Sequence, residues 1–202
     1  MATPKKQSIV ELPSMDVHTM EITLIGDSSL ICHKWSHKAK KQMLAKQMKE
    51  AQPKKEAKNP EQDFQDSLYK HPDGGYGFPV VAFKAAAVSA CRFVDGLKMT
   101  EARGAFHINN ELAKIEGSEP VMREDMVKVG MGTADLRYRG EFPQWHTTLN
   151  IRYNARIFSP SQILNLFNHA GFGVGVGEWR PERNGSHGMF HIRMNDESLP
   201  GS

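Results

Sequence analysis

The chain has little cysteine and no long apolar run. Only Cys32 and Cys91 occur in 202 residues, without a CxxC pair or a secreted-scaffold spacing, so a reduced, intracellular protein is expected. No segment has the length and apolarity of a transmembrane helix, and the opening MATPKKQSIVELPS lacks a signal-peptide core. A GxSxG elbow and a Gly-Lys-Ser/Thr phosphate loop are also missing, which argues against the common serine hydrolases and P-loop nucleotide sites. His33 and His37 stand four apart, as do His187 and His191, but no cysteine or carboxylate cluster completes a zinc set. No metal and no cofactor is expected.

What the chain does have is a concentration of lysine. Nine lysines against Glu50 and Glu56 lie between Lys34 and Lys58, in a protein whose net charge is only +3. A basic block on a near-neutral body fits one surface facing a polyanion, and Lys34, Lys38, Lys40, Lys41 and Lys46 are its candidate contacts. A solvated lysine-rich helix is the competing reading. Arg137, Tyr138 and Arg139, and further on Trp179 with Arg180, set rings beside guanidinium groups, the combination that stacks bases and holds phosphates.

Hydrophobic residues make up 39% of the chain, enough for one core. HTMEITLIG alternates Met20, Ile22 and Leu24 with polar residues and reads as a half-buried strand, followed after the Gly26–Ser29 break by a short extended piece. Residues 36–51 read as a helix and 52–62 as a charged loop. Pro79 opens a helix whose stripe is Phe83, Ala87, Ala90, Cys91 and Val94, stopped by Gly96. RGAFHINNEL reads as a strand and 115–142 as a long connection. WHTTLNIRYN is the clearest strand: Trp145, Thr147, Leu149, Ile151 and Tyr153 share its core face. SPSQILNLFNHAG carries Ser159 as N-cap and Gln162 as the other half of a capping box, with Ile163, Leu166, Phe167 and Ala170 as its buried stripe. HGMFHIRM closes as a strand. The order β–α–β, twice, predicts an α+β, ferredoxin-like or RRM-like domain: a four-stranded antiparallel sheet with two helices. It spans 18–194 with insertions at about 34–78 and 109–143, a polar arm at 1–17 and a tail at 195–202.

Between the last helix and strand, glycine occupies every second position at Gly171, Gly173, Gly175 and Gly177. Glycine loses more conformational entropy on folding than any other residue, so either backbone angles or a close ligand must require it. The run Gly173, Gly175, Gly177, then Arg180, Arg183, Gly188 and Phe190, resembles the glycine-rich loop of the RAMP superfamily, which includes the guide-RNA-binding backbone subunits of CRISPR effector complexes. Glu178 departs from that pattern by standing where a basic residue would suit a phosphate better. The resemblance implies that bare backbone N–H groups at Gly173, Gly175 and Gly177 approach phosphate while Arg180 and Arg183 neutralise it. The competing reading is a tight helix-to-strand connection packed on its own sheet. The whole chain also resembles proteins of tailed phages and prophages that carry no assigned activity.

The expected function is non-catalytic binding of single-stranded RNA or DNA, with self-association along the strand, in the cytoplasm of a bacterial host cell and away from membranes. The alternatives are a phage structural or anti-defence protein that binds a host protein complex, and an RNA-cleaving nuclease acting through Asp135.

Overall fold

The computed structural model describes residues 12–50, 57–129 and 132–200. Most of the expected N-terminal arm, and Lys54 and Lys55 of the basic block, lie outside the described residues, as does the side chain of Lys38. The strands are β1 (Val17–Gly26), β2 (Leu30–Cys32), β3 (Tyr69–Lys70), β4 (Tyr76–Pro79), β5 (Phe106–Ile108), β6 (Leu112–Gly117), β7 (Val121–Val129), β8 (Thr133–Phe142), β9 (Trp145–Asn154) and β10 (Phe190–Ile192). The helices are α1 (His37–Gln47), α2 (Pro60–Ser67), α3 (Val80–Ala90), α4 (Met99–Ala105) and α5 (Pro160–Gly173). Among the described residues, no helix is long and apolar enough to cross a membrane.

The main sheet runs β10-β1-β9 and then divides, because β5 and β6 pair with opposite ends of the same β9 edge. Asn110, at φ 71°, lies in the turn between them. The Asn109 backbone and side-chain amides bond Asn150 of β9. Every second residue of β9 from Trp145 to Tyr153 is buried, as the alternation predicts. α3 and α5 pack together over that face; Ala86, Ala87 and Ala90 keep α3 thin enough for close approach. The capping box of α5 is complete: Ser159 Oγ accepts from the Gln162 amide at 3.3 Å, and Gln162 Oε1 accepts from the Ser159 amide at 2.8 Å. Trp145 is fully buried, and its indole N–H donates to the Ser28 carbonyl at 2.8 Å.

The segments read as loop and connection fold into elements of their own. Of the loop expected at 52–62, residues 52–56 lie outside the described residues and 57–59 are irregular, but its end is helical: α2 starts at Pro60, with Asn59 Oδ1 accepting from the Gln62 amide. Residues 115–142 are not a connection but the end of β6 and a long β7–β8 hairpin, which with β2 forms a second, three-stranded sheet, β2-β8-β7. The strand read at 103–112 is broken, with α4 occupying its start. The class is α+β with antiparallel sheets, as expected; among the described residues the segments outside the expected four strands and two helices add further helices and a second sheet.

The C-terminal tail returns to the main sheet through His191. Its Nδ1 meets Asp27, and its Nε2 meets Glu197 at 2.9 Å. Burial lowers the His191 pKa, but hydrogen bonds and charge from both carboxylates outweigh it and the net displacement is upward. Its contribution is therefore present below the ordinary imidazole value near 6.5 and lost as pH rises through the raised folded value. Residues 193–199 are expected to become more open to limited proteolysis above that value. His191→Gln should be equally cleavable at both ends of the range.

Candidate nucleic-acid interface

Among the described residues, β2 pairs with β8 only over Gly140–Phe142, so the β8 edge from 133 to 139 has no strand on that side. The chain after β2 turns away there and enters α1, where Ser36 Oγ caps the Ala39 amide at 3.1 Å. α2 sits against β8 at Gly140, where the Leu68 side chain fills the place a Cβ would take. Ser67 Oγ accepts from the Gly140 amide at 2.8 Å. A cleft of about 720 Å³ opens between α1, α2 and this edge, lined by Lys34, Trp35, Lys46, Lys58, Arg137 and Tyr138, with Asp63 and Asp135.

Four cations thus face two carboxylates. Lys58 Nζ lies 2.6 Å from Asp135 Oδ1 and also donates to the Leu136 carbonyl, while Arg137 Nε stands 3.7 Å from Asp135 Oδ2. The Lys58 hydrogen bond holds the Asp135 carboxyl below the usual range, so it remains an anion clamped between cations. A hydrogen bond to Glu124 pushes the Tyr138 hydroxyl up from its ordinary value. Trp35 is 54% exposed. An open surface of this kind offers rings to bases and cations to phosphates.

The glycine loop lies beside this cleft rather than lining it. Gly173 is the last residue of α5, and a Cβ there would press on the Phe93 ring. Gly175 and Gly177 have φ of 69° and 79°; a Cβ on them would lie 2.7 Å from Pro181 Cδ and 2.6 Å from the Ile31 carbonyl oxygen. The amides of Gly175, Val176 and Glu178 donate to the carbonyls of Ala170, Gly188 and Ile31. Those three donors are spent inside the protein, and the loop's packing on β2 and on its own chain is sufficient reason for its glycines. Arg180 is also committed, donating to Glu182 and to the Gly177 carbonyl. Trp179 and Arg183 are exposed on the same segment, away from the cleft lining.

Arg139 is not at the surface. Its side chain is 4% exposed, and Nη1 donates to Asp125 Oδ2 at 2.9 Å. It belongs to a polar chain on the face of β7 and β8 opposite α2. Arg123 bridges Asp125 and Glu141, Ser29 bonds both Glu141 and His187, and Glu178 joins Arg139 to His33. The His33 hydrogen bond holds the Glu178 carboxyl low. Glu178, the residue unsuited to a phosphate loop, thus anchors the loop to the cleft wall at His33.

In sequence, no family profile and no curated protein matches the chain. In structure, it matches a chain in the cryo-EM structure of the Type III-B Cmr-beta bound to cognate target RNA. That match has a TM-score of 0.54 and 12% identity, and covers 92% of this chain and 62% of that one. The two chains share a fold. The crystal structure of Cmr6 from Pyrococcus furiosus also aligns, at a TM-score of 0.47 and 8% identity over 89% of this chain and 100% of that one. Since this chain spans about 62% of the length of the Cmr-beta chain, the likeness concerns the shared fold.

Of the candidate contacts, the cleft gathers Lys34, Lys46, Arg137 and Tyr138, which are about a hundred residues apart in sequence. Lys40 and Lys41 are exposed on α1 outside the lining. Sequence reasoning passed over Trp35 and Lys58 as individual contacts. The signal for Trp35 was available: a lone tryptophan in the basic stretch HKWSHK is costly to expose without a use.

Proposed function

We propose that this chain binds single-stranded RNA or DNA, without cleaving it, in the cleft between α1, α2 and β8. One observation carries the reading: Lys34, Lys46, Lys58 and Arg137 converge on the same open cleft as the Trp35 and Tyr138 rings. Cations that hold phosphates beside rings that stack bases make a sequence-tolerant single-strand site. The fold relative in the Cmr-beta structure belongs to an assembly bound to cognate target RNA, which supports the same reading. The order β10-β1-β9-β5 carrying α3 and α5 supports a ferredoxin-like core. Several copies occupy one strand side by side.

The test is fluorescence anisotropy with labelled single-stranded RNA and DNA across a salt series. Three to four phosphate contacts give a slope of log K against log salt of roughly −2 to −3. Trp35→Ala should weaken binding about 5- to 150-fold, the loss of about 1–3 kcal/mol of stacking. The labelled strand should emerge intact from incubation with Mg²⁺ or Mn²⁺. A flat salt dependence, or cleavage abolished by Asp135→Ala, would overturn the proposal.

A further inference from the structure

β7 is the outer strand of the three-stranded sheet. Among the described residues it hydrogen-bonds β8 on one side and no strand on the other. Nine residues from Val121 to Val129 leave an edge about 30 Å long. Soluble proteins blunt such edges with proline, bulges, very short strands or charged side chains; β7 uses charges alone, and their order matches that of a second copy. VMREDMVKV has no proline and no glycine, and it pairs with β8 without interruption. It also exposes apolar side chains: Met126 is 74% exposed and Met122 is 49% exposed.

The two faces of β7 differ. Arg123, Asp125 and Val127 point to the side of the ionic chain, where Asp125 is buried between Arg123 and Arg139. Met122, Glu124, Met126 and Lys128 point to the α2 side and are exposed, Glu124 beside the Tyr138 hydroxyl it accepts from. The exposed set has a self-complementary order, with an acid two residues before Met126 and a base two residues after it.

We propose that β7 pairs antiparallel, edge to edge, with β7 of a second copy, about a two-fold axis at Met126. In that register Glu124 faces Lys128 of the partner subunit, and Lys128 faces the partner's Glu124. Met126 lies against the partner's Met126. Sliding the pairing toward the N-terminus sets Asp125 against the partner's Asp125, or Glu124 against the partner's Glu124; the latter also sets Arg123 against the partner's Asp125, but those charges are already paired within each subunit. Like charges directly opposite are destabilising and opposite charges stabilising, so charge selects the Met126-centred register. The unpaired backbone groups of both edges are then satisfied, and a six-stranded sheet, β2-β8-β7 and its copy, runs across the axis.

Because the axis is perpendicular to this sheet, both copies of α2 lie on the same side. The two β8 strands are three strand spacings apart, about 14 Å. The Met122 and Met126 side chains of both copies fill the floor between the two α2 helices. The inference goes beyond nucleic-acid binding and holds whether or not the cleft takes a strand.

The decisive experiment is done on the full chain without nucleic acid, so that its failure is separate from failure of the cleft reading. Sedimentation velocity over the micromolar range should show a monomer–dimer equilibrium. Lys128→Glu sets acid against acid twice and should weaken the dimer about tenfold or more. Glu124→Lys should do the same, and the double swap should restore association. Opposed residues across an antiparallel pair have Cα atoms about 4.5–5.5 Å apart, within the disulfide range. Oxidised Met126→Cys is therefore expected to give a disulfide-linked dimer on a non-reducing gel. Leu136→Cys, exposed one strand away on β8, should not. Cys32 and Cys91 are buried and give little background. A monomer at every concentration, single charge variants that dimerise as well as the parent, or equal cross-linking at 126 and 136 would each overturn the proposal.

Discussion

Reversing three cleft charges together, Lys34→Glu, Lys46→Glu and Arg137→Glu, is expected to abolish binding of single-stranded nucleic acid. A unit charge 4 Å from a phosphate is worth about 1 kcal/mol in water. Three reversals change six units of charge, and after screening the loss is on the order of a thousandfold in affinity. The fold should survive, because these side chains line an open cleft and the Arg137–Asp135 pair is partly solvated at 3.7 Å. Exposed pairs of that kind contribute at most about 1 kcal/mol. The control is Lys40→Glu with Lys41→Glu on the same helix, outside the cleft lining. If anisotropy shows equal losses for the two sets, attraction is diffuse and the cleft is not the site. If only the first set loses binding, the convergence of Lys34, Lys46 and Arg137 is what the ligand reads.

Gly177→Val should be more damaging than Gly175→Val, whose first obstacle is a side-chain atom, and it should act on stability. Its φ of 79° is a conformation that a β-branched residue rarely adopts, costing about 1–3 kcal/mol. A Cβ would also stand 2.6 Å from the Ile31 carbonyl oxygen, which is backbone and cannot swing aside. Overpacking of that kind adds about 1–3 kcal/mol. A total of about 3 kcal/mol or more lowers Tm by roughly 6–12 °C in a domain of this size. Binding per folded molecule should be nearly unchanged at low temperature, because the neighbouring amides are already donated inside the protein. A variant that melts like the parent but no longer binds would show that the loop touches the ligand after all.

The basic block and the glycine loop lie apart in the fold, although the sequence marks both as candidate contacts. The lysines of residues 34–46 and the pair Arg137–Tyr138 meet across one cleft. The glycines do not join them: they let α5 turn tightly onto β2, and Glu178 then fixes His33 at the cleft wall.

The sequence by itself determined β1, β9, α5 and β10, because each carries a complete local signal. Alternation from Trp145 to Tyr153 writes out a half-buried strand, and Ser159, Pro160 and Gln162 write out a helix start. The same signals were missing from β7 and β8, and the reason is chemical. Arg123, Asp125, Arg139 and Glu141 line one face of that hairpin as a network of ion pairs, so no apolar period of two exists to be read. Asn59 and Pro60 did announce α2, but its buried face holds only Phe64 and Ser67, too short a stripe to stand out.

Tertiary structure alone decided which charges remain free. Arg137 and Arg139 are two residues apart on the same face of β8 with the same chemistry, yet one lines the cleft and the other is closed between Asp125 and Glu178, because the glycine loop reaches that face only at Arg139. Lys58 meets Asp135 across 77 residues, and His33 meets Glu178 across 145. Contacts at that separation depend on how the two sheets and the helices between them pack, and no local pattern of residues encodes them.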